Sequence, residues 1–191
     1  MKFPVILADP PWQFQVWSKG NQRSNGRLPD AHYQTQSENF ISGLPVADVA
    51  AKNCTLFLWV TCPTLPQGIQ TLADWGFEYK TVGFTWIKTN RDGSPRMGLG
   101  YWTRANAELC LIGTRGKPKR ICKGVRQVIQ SPLRRHSEKP VQVYDRIESL
   151  VEGPYLEMFA RPGLFHREGW TMIGNEVTGR DIYDDLRLLK D

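Results

Sequence analysis

The segment ILADPPWQF, residues 6 to 14, passes within four positions from an apolar run to an acid, two prolines and a tryptophan. An apolar run such as the one ending at Ala8 is typical of a strand covered on both faces of a sheet. Because ligands of open α/β sheets bind beyond the carboxyl ends of the strands, we expect Asp9 at the mouth of that crevice. The segment therefore predicts the type of sheet and the edge at which chemistry takes place.

Pro10 and Pro11 restrict the shape of this strand end and remove its hydrogen-bond donors. Each proline fixes its φ at about −65° and carries no N–H, so the segment offers carbonyls and the Asp9 carboxylate as acceptors. Trp12 adds a flat aromatic face. The combination suits an amine on a flat ring, such as the exocyclic amine of a nucleobase. However, Asp-Pro-Pro also ends ordinary strands and Trp12 could equally be a core residue, so these four residues leave both interpretations open.

The rest of the chain alternates between strand-like and helix-like segments. Strand-like runs occupy residues 4–8, 55–60, 79–88, 107–113, 155–160 and 170–173, and helix-like stretches occupy 37–51, 65–75 and 141–151. This alternation predicts an α/β fold with a mostly parallel sheet and covering helices. The 191 residues and the 40% hydrophobic content are those of a single domain over residues 1–191 with a full core.

Charge and cysteine spacing narrow the class of protein. The net charge of +6 and the isoelectric point of about 9.3 favour a polyanionic partner such as nucleic acid. Four cysteines without a CxxC spacing and three scattered histidines predict no metal site. No apolar run approaches the roughly 18 residues of a membrane span, and the N-terminus lacks the apolar region of a signal peptide. We therefore expect a cytoplasmic, reduced protein without a membrane segment.

Eight blocks of the sequence, in order, resemble the N6-adenine methyltransferases of the MT-A70 type, which include the catalytic subunit of the messenger RNA adenosine methylase and bacterial and phage DNA adenine methylases. The blocks are VILADPPWQF, HYQTQS with LPV, LFLWVT, WIKTN, AELCLIGTRG, RRHSEKP, LEMFARP and GWTMIGNEV. The resemblance covers nearly the whole chain. It implies a single Rossmann-like, S-adenosylmethionine-dependent methyltransferase domain in permuted order, with the catalytic motif N-terminal and the cofactor motif C-terminal.

The resemblance implies methyl transfer from S-adenosylmethionine to the N6 amine of adenine in nucleic acid. It assigns catalysis to Asp9, Pro10, Pro11 and Trp12: Asp9 and a proline carbonyl would hold the N6 hydrogens, and Trp12 would stack the base. DNA is favoured because short stand-alone members are mostly bacterial and phage enzymes. RNA adenine methylation and an inactive nucleic-acid-binding partner subunit stay open, although an inactive partner typically loses the acid or the aromatic residue. Methylation of a protein or small-molecule amine is a third alternative, which would leave the basic segments without a use.

The predicted cofactor contacts lie mostly near the C-terminus. The resemblance implies Asp9, Lys139, Glu157, Arg161, Asn175 and Glu176, and Asp181 with Ile182 are added as candidates where the chain departs from the family pattern. Lys139 would meet the methionine carboxylate, and Asn175 with Glu176 the ribose hydroxyls. Glu157 could be a cofactor ligand or a salt-bridge partner of Lys139. Asp181, with the residue after it, is a candidate for holding the cofactor's adenine, or alternatively an acid at a helix N-terminus.

Three segments, 18–36, 90–103 and 115–126, fit neither a helix nor a strand. Long loops in compact domains are typically functional or disordered. Segment 115–126 has six cations and no acid, which indicates a solvated loop or, beside nucleic-acid chemistry, a phosphate-binding rim. The predicted nucleic-acid contacts are Tyr33, in a flap over the adenine pocket, and Lys117, Lys119, Arg120, Arg134, Arg135 and His136 in the rim. No target-recognition domain is visible, so a homodimer or a partner subunit stays open as the source of sequence preference.

Overall fold

The computed structural model describes residues 1–13, 36–98, 102–134, 138–161 and 167–190. Seven strands in this part of the chain form one sheet: β1 (Phe3–Ala8), β2 (Ala50–Val60), β3 (Glu78–Thr89), β4 (Ala107–Arg115), β5 (Val128–Pro132), β6 (Tyr155–Met158) and β7 (Trp170–Ile173). The α-helices of the same part are α1 (Glu38–Ser42), α2 (Leu65–Asp74), α3 (Gln142–Leu150), α4 (Asn175–Thr178) and α5 (Ile182–Lys190).

The sheet has the strand order β5-β3-β4-β2-β1-β6-β7. β4 pairs antiparallel with β2 and β3, and the other neighbouring strands pair parallel. The predicted α/β fold with a mostly parallel sheet is thus confirmed. We call the edge at which β1, β6 and β7 end the upper edge. Because β4 runs in the reverse direction, its first residue, Ala107, also lies at the upper edge and its last residue, Arg115, lies at the lower edge.

Both faces of the sheet are buried, which is why its central strands appear in the sequence as continuous apolar runs. On β1, Ile6 and Ala8 belong to one core cluster, which also takes residues from α1, α2 and α5. Val5 and Leu7 point to the opposite cluster, which is covered by α3. Burying a side chain of this size stabilises the fold by about 1.5–3 kcal/mol. This packing fixes β1 at the centre of the sheet and with it the position of Asp9.

Two segments differ from the sequence-based expectation. The stretch 37–51 is a short helix, a 3-10 turn at Val46–Asp48 and then the start of β2 at Ala50, because Gly43 and Pro45 interrupt the helical pattern. β5 was not predicted, since it is a five-residue edge strand in which only alternate residues are buried. Of the helices in the described part of the chain, none has both the length and the apolar character needed to cross a bilayer.

Candidate active site

Asp9 follows the last residue of β1 and lies at the upper edge, as the sequence predicts for the carboxyl end of a strand. Its side chain is 26% exposed, and its Oδ2 accepts a hydrogen bond from Lys139 Nζ at 2.6 Å. Lys139 lies just before α3 and is itself only 10% exposed. The structure thus brings together two predicted site residues that are 130 positions apart in the chain.

Lys139 has a second carboxylate partner, Glu108, which is the second residue of the reversed strand β4. Lys139 Nζ lies 3.3 Å from Glu108 Oε2, and Lys88 at the end of β3 donates to the other oxygen of the same carboxylate. The ammonium groups also lie over indole rings, Lys139 over Trp59 at 5.6 Å and Lys88 over Trp86 at 5.1 Å. Lys88, Glu108, Lys139 and Asp9 therefore form a chain of alternating charges along the upper edge, which we call the ion-pair chain.

Burial and neighbouring charges shift the pKa values of the ion-pair chain in opposite directions. Burial alone would raise the pKa of Glu108, but Lys139 and Lys88 outweigh it and hold that pKa below its ordinary value. Burial would lower the pKa of Lys139, but Asp9 and Glu108 raise it instead, so the ammonium stays protonated. For Asp9, burial raises the pKa and the adjacent Lys139 opposes the rise. The ion-pair chain is thus a site in which one lysine controls the charge of two carboxylates.

The proline pair and Trp12 differ from the expected row of free acceptors beside an open aromatic face. Pro10 O accepts from Trp12 N at 2.8 Å, and Pro11 O accepts from Gln36 N at 3.0 Å. Each carbonyl therefore keeps only its second lone pair for a ligand. The Trp12 side chain is 6% exposed and its Nε1 donates to Trp59 O at 2.8 Å. Of the two interpretations of Trp12, the structure supports the core residue.

A narrow cleft beside Asp9 collects most of the residues that the resemblance implied as cofactor contacts. The cleft is lined by Asp9, Pro11, Gln36, Phe159, Arg161, Asn175, Glu176, Asp181 and Ile182. Arg161 Nε lies 3.7 Å from Glu176 Oε1 across it. The enclosed volume is about 80 Å³, whereas pockets for small molecules typically measure about 300–1,000 Å³. In this form the cleft holds only part of a nucleoside-sized ligand.

Asp185, on α5, holds the turn that carries Asn175 and Glu176 to the cleft. Its side chain is buried, with Oδ2 accepting from Gly174 N at 3.1 Å and from Thr178 Oγ1 at 2.6 Å, while Oδ1 accepts from Arg180 Nε at 2.8 Å. Gly174 has φ +145°, and a Cβ there would lie 3.0 Å from Ala160 N. The turn is therefore fixed by a glycine conformation and by one buried carboxylate.

Replacing Asp185 with alanine is expected to lower the free energy of unfolding by about 2–3 kcal/mol, because it leaves a buried N–H, a hydroxyl and a guanidinium without their acceptor. Denaturant unfolding of the purified variant measures the effect. The matched control is Asp184→Ala, which removes the neighbouring exposed acid. Equal stability of the two variants would contradict this role of Asp185.

Glu157, on β6, pairs with a tyrosine on α3. Its Oε1 accepts from Tyr144 Oη at 2.9 Å, and its buried Oε2 has no hydrogen-bond partner among the described residues. Burial raises the pKa of Glu157 to about 7, the Tyr144 hydrogen bond opposes the rise, and Asp9 adds to it. A buried carboxyl oxygen without a partner, close enough to Asp9 to feel its charge, is a candidate ligand atom.

The raised pKa of Glu157 predicts a pH dependence of stability. Below its ordinary pKa of 4.5 the group is protonated in both states and costs nothing, whereas above about 7 the folded chain must hold a buried carboxylate. The free energy of unfolding of Glu157→Gln, relative to the unmodified chain, should therefore rise by about 2 kcal/mol between pH 5 and pH 8. Urea titrations at both pH values test this, with the exposed Glu152→Gln as control. A difference that does not change with pH would contradict the assignment.

A larger cavity of about 630 Å³ opens at the other carboxylate of the ion-pair chain. Lys88 and Glu108 line it together with Arg96, Trp102, Arg104 and Leu133, among others. Trp102 is 90% exposed. Because Glu108 lines this cavity, Asp9 lines the cleft and Lys139 contacts both carboxylates, the two spaces meet at the ion-pair chain.

The predicted phosphate-binding rim divides between the two edges of the sheet. Arg134 follows β5 and the cavity residue Leu133, so it lies at the upper edge, with its NH1 4.0 Å from Glu138 Oε1. Lys117, Lys119 and Arg120 follow the end of β4 and lie at the lower edge. The structure therefore does not bring these three cations to Asp9. The remaining predicted contacts, Tyr33, Arg135 and His136, lie outside the described residues.

Sequence reasoning missed Glu108 and Lys88. Both lie at the upper ends of strands that pair with each other, as shown by the register Trp86↔Glu108. The available signal was an acid opening the apolar run AELCLIG and a lysine closing TWIK. A charged residue at the end of a buried strand indicates a site, but the pairing of two such ends needs the fold. Among the described residues, no three His, Cys, Asp or Glu side chains converge as metal ligands.

Comparison with known proteins finds a matching family and several relatives. A model of the family described as MT-A70 matches residues 3–176. The chain is 31% identical over 196 residues to the type II methyltransferase M.MunI of Mycoplasma sp, covering 95% of this chain and 80% of that protein. It is 32% identical over 187 residues to the human N(6)-adenosine-methyltransferase catalytic subunit METTL3 and to an MT-A70-like N(6)-adenosine-methyltransferase of Drosophila melanogaster. In these two the match covers 96% of this chain but only 30% and 28% of their length.

Proposed function

The chain belongs to the MT-A70 family, and from that premise we propose that it transfers a methyl group from S-adenosylmethionine to the N6 amine of adenine in nucleic acid. The observation that carries the proposal is the position of Asp9. This carboxylate is shared between the cleft and the ion-pair chain, which in turn borders the larger cavity. An acid placed between a cleft and a cavity, both lined by polar residues, suits a transfer between two bound molecules.

The cleft residues fit S-adenosylmethionine by their chemistry. Asp9, Glu176 and Asp181 against the single cation Arg161 give the cleft a negative balance, which suits a sulfonium cation. Asn175 and the acids offer acceptors for ribose hydroxyls and for the adenine amine. Phe159 and Ile182 offer apolar walls for the adenine ring. This fit supports S-adenosylmethionine as the cofactor. When bound, S-adenosylmethionine supplies an electrophilic methyl group.

We assign the polar groups of the cofactor to three places. Asn175 and Glu176 hold the ribose hydroxyls, on the turn that Asp185 fixes. Asp181, whose Oδ1 also accepts from Tyr183 N at 2.8 Å and so caps α5, holds the adenine side with Ile182. Glu157 Oε2, which has no hydrogen-bond partner among the described residues, binds the ammonium group of the cofactor's methionine part. Lys139 binds the carboxylate group of the same methionine part. Arg161 closes the cleft beside Glu176.

The larger cavity suits the target base. Trp102 lines this cavity and is 90% exposed, and stacking on its indole would stabilise an unstacked base by about 1–3 kcal/mol. Arg96 and Arg104 line the same cavity and would bind the flanking phosphates. Trp102 thus takes the stacking role that the sequence analysis gave to Trp12, because the Trp12 ring is buried.

In this arrangement Asp9 acts on the amine. Its carboxylate accepts a hydrogen from adenine N6, orients the nitrogen lone pair and stabilises the positive charge that develops on nitrogen. Lys139 favours the ionised form of Asp9 and fixes its orientation, and Glu108 with Lys88 fixes Lys139. The other hydrogen on adenine N6 is accepted by the remaining lone pair of Pro10 O. The proton that nitrogen loses then passes to Asp9 or to water.

We favour DNA as the polymer, because the M.MunI match covers most of that relative's length whereas the animal matches cover under a third. RNA remains the alternative within the same chemistry. The presence of Asp9, Lys139 and the cleft residues together disfavours an inactive partner subunit. The cations around the large cavity disfavour a protein or small-molecule amine as the substrate.

The test is transfer of labelled methyl from S-adenosylmethionine to three polymers in parallel: single-stranded DNA, duplex DNA and RNA. Label in DNA above RNA is the expected result, and label in RNA alone would replace the favoured polymer while keeping the chemistry. Absence of label from all three, with the cofactor bound in calorimetry, would overturn the proposed function.

A further inference from the structure

The lower edge of the sheet carries a cluster of fixed, exposed cations. We call Lys117, Lys119, Arg120, Lys123 and Arg126 the lower-edge band; all five are exposed. No acidic residue occurs anywhere between Glu108 and Glu138 in the sequence. The band therefore lies in a stretch of chain that provides no carboxylate of its own.

The backbone of the band is held in place from three sides. Gly116 turns the chain out of β4 with φ +65°, and Lys117 N donates to Asn53 Oδ1 at 2.8 Å. Ile121 N donates to Leu150 O at 2.9 Å, at the end of α3. Arg146 NH1 donates to Arg126 O at 2.6 Å and to Val128 O at 2.8 Å. These bonds position the cations instead of leaving them on a free loop.

None of the five band side chains forms an ion pair with a described carboxylate, although cations elsewhere on this protein do. Lys80, Arg180 and Lys190 each have a carboxylate partner within 2.9 Å, and the acids of α3 bind Arg167 instead of the band. Arg146 adds a sixth cation, and burial together with the neighbouring Arg126 lowers its pKa. Like charges fixed together without acids destabilise the fold unless an anion is bound.

The edge strand β5 connects the band to the large cavity. β5 is the outermost strand of the sheet, beginning just after Arg126 at the lower edge and ending just before Leu133, which lines the cavity. At about 3.3 Å per residue, the seven steps from Arg126 to Leu133 span about 23 Å. That length corresponds to about seven nucleotides of a strand with a 3.4 Å rise.

We propose that the β5 edge is a track for the nucleic-acid backbone, with the target base in the upper cavity and the phosphates of one arm, about seven nucleotides away, on the lower-edge band. The inference rests on the proposed function for the identity of the polymer. It predicts that the band reads no sequence and that its contribution depends on the length of the arm flanking the target.

The test compares fluorescein-labelled single-stranded DNA of 7 and 25 nucleotides, each with one central adenine, by anisotropy over a salt series. The variant is the triple change Lys117→Gln, Lys119→Gln and Arg120→Gln. Each lost phosphate contact reduces the magnitude of the slope of log K against log salt by about 0.7. For the 25-mer, the magnitude of this slope should therefore fall by about 2, and binding should weaken at least tenfold. Binding of the 7-mer should not change.

The control removes three exposed cations from the face of the sheet that α5 covers, opposite the face covered by α3: Lys2→Gln, Arg187→Gln and Lys190→Gln. It should behave like the unmodified chain on both oligonucleotides, and thermal melting checks that both triple variants fold. An unchanged 25-mer slope in the band variant, or an equal loss in the control, would overturn the inference.

The same samples, supplied with S-adenosylmethionine, separate the inference from the proposed function. Length-dependent binding without methyl transfer would support the track and overturn the enzyme activity. Methyl transfer together with equal binding of the 25-mer by the band variant and the control would support the enzyme activity and overturn the track.

Discussion

Asp9→Asn is expected to lower kcat for methyl transfer by about 10²- to 10³-fold, the loss typical for removing one group that stabilises developing charge. Asparagine keeps the shape of the side chain but cannot stabilise positive charge on the adenine nitrogen. Lys139 retains Glu108 as a partner and burial already disfavours the charge on Asp9, so the variant should fold. Steady-state kinetics with saturating cofactor measure the effect.

The control for this prediction is Asp184→Asn, the same chemical change at an exposed position of α5. Its kcat should equal that of the unmodified chain. If Asp9→Asn retains kcat within about threefold, Asp9 is not the group that acts on the amine, and the carboxylate at the end of β1 has only a structural role.

The second large effect is expected from Lys139→Met, which leaves the Asp9 and Glu108 carboxylates close together without the ammonium between them. Removing one partner of a buried ion pair typically costs about 3–5 kcal/mol. Lys139 is 10% exposed, so solvent screening is weak here. The free energy of unfolding from urea titration should fall by that amount, and methyl transfer should be lost.

Two comparisons make this result specific. Lys190→Met removes an exposed lysine that pairs with Asp48, and surface pairs are worth about 0–1 kcal/mol. Adding Asp9→Asn to Lys139→Met removes the carboxylate that has lost its ion-pair partner, whereas Glu108 keeps Lys88, and should recover part of the stability. Equal losses in Lys139→Met and Lys190→Met would contradict the ion-pair chain.

The sequence was informative where a site residue directly follows a strand. Asp9 after β1, Arg161 after β6 and Asn175 after β7 share the upper edge because parallel strands end together. Asp181 enters the same cleft because only a short helix separates it from Asn175. Local order along the chain was enough to predict that these residues lie together at this edge.

Long-range pairing decided the parts that could not be predicted. Lys88 and Glu108 meet only because β3 and β4 pair antiparallel. The same reversal of β4 carries the basic segment to the lower edge, so Lys117 lies far from Asp9 although both follow strands. The Trp12 side chain donates a hydrogen bond from Nε1 to Trp59 O, a contact that no local sequence pattern reveals.

The most direct measurement is mass spectrometry of nucleosides from a DNA substrate incubated with the purified chain and S-adenosylmethionine. The predicted result is N6-methyldeoxyadenosine with the unmodified chain and at least a hundredfold less with Asp9→Asn. Methyl groups on another atom of the base, or equal amounts of N6-methyldeoxyadenosine from both proteins, would contradict the assignment of Asp9 as the group that holds the adenine amine.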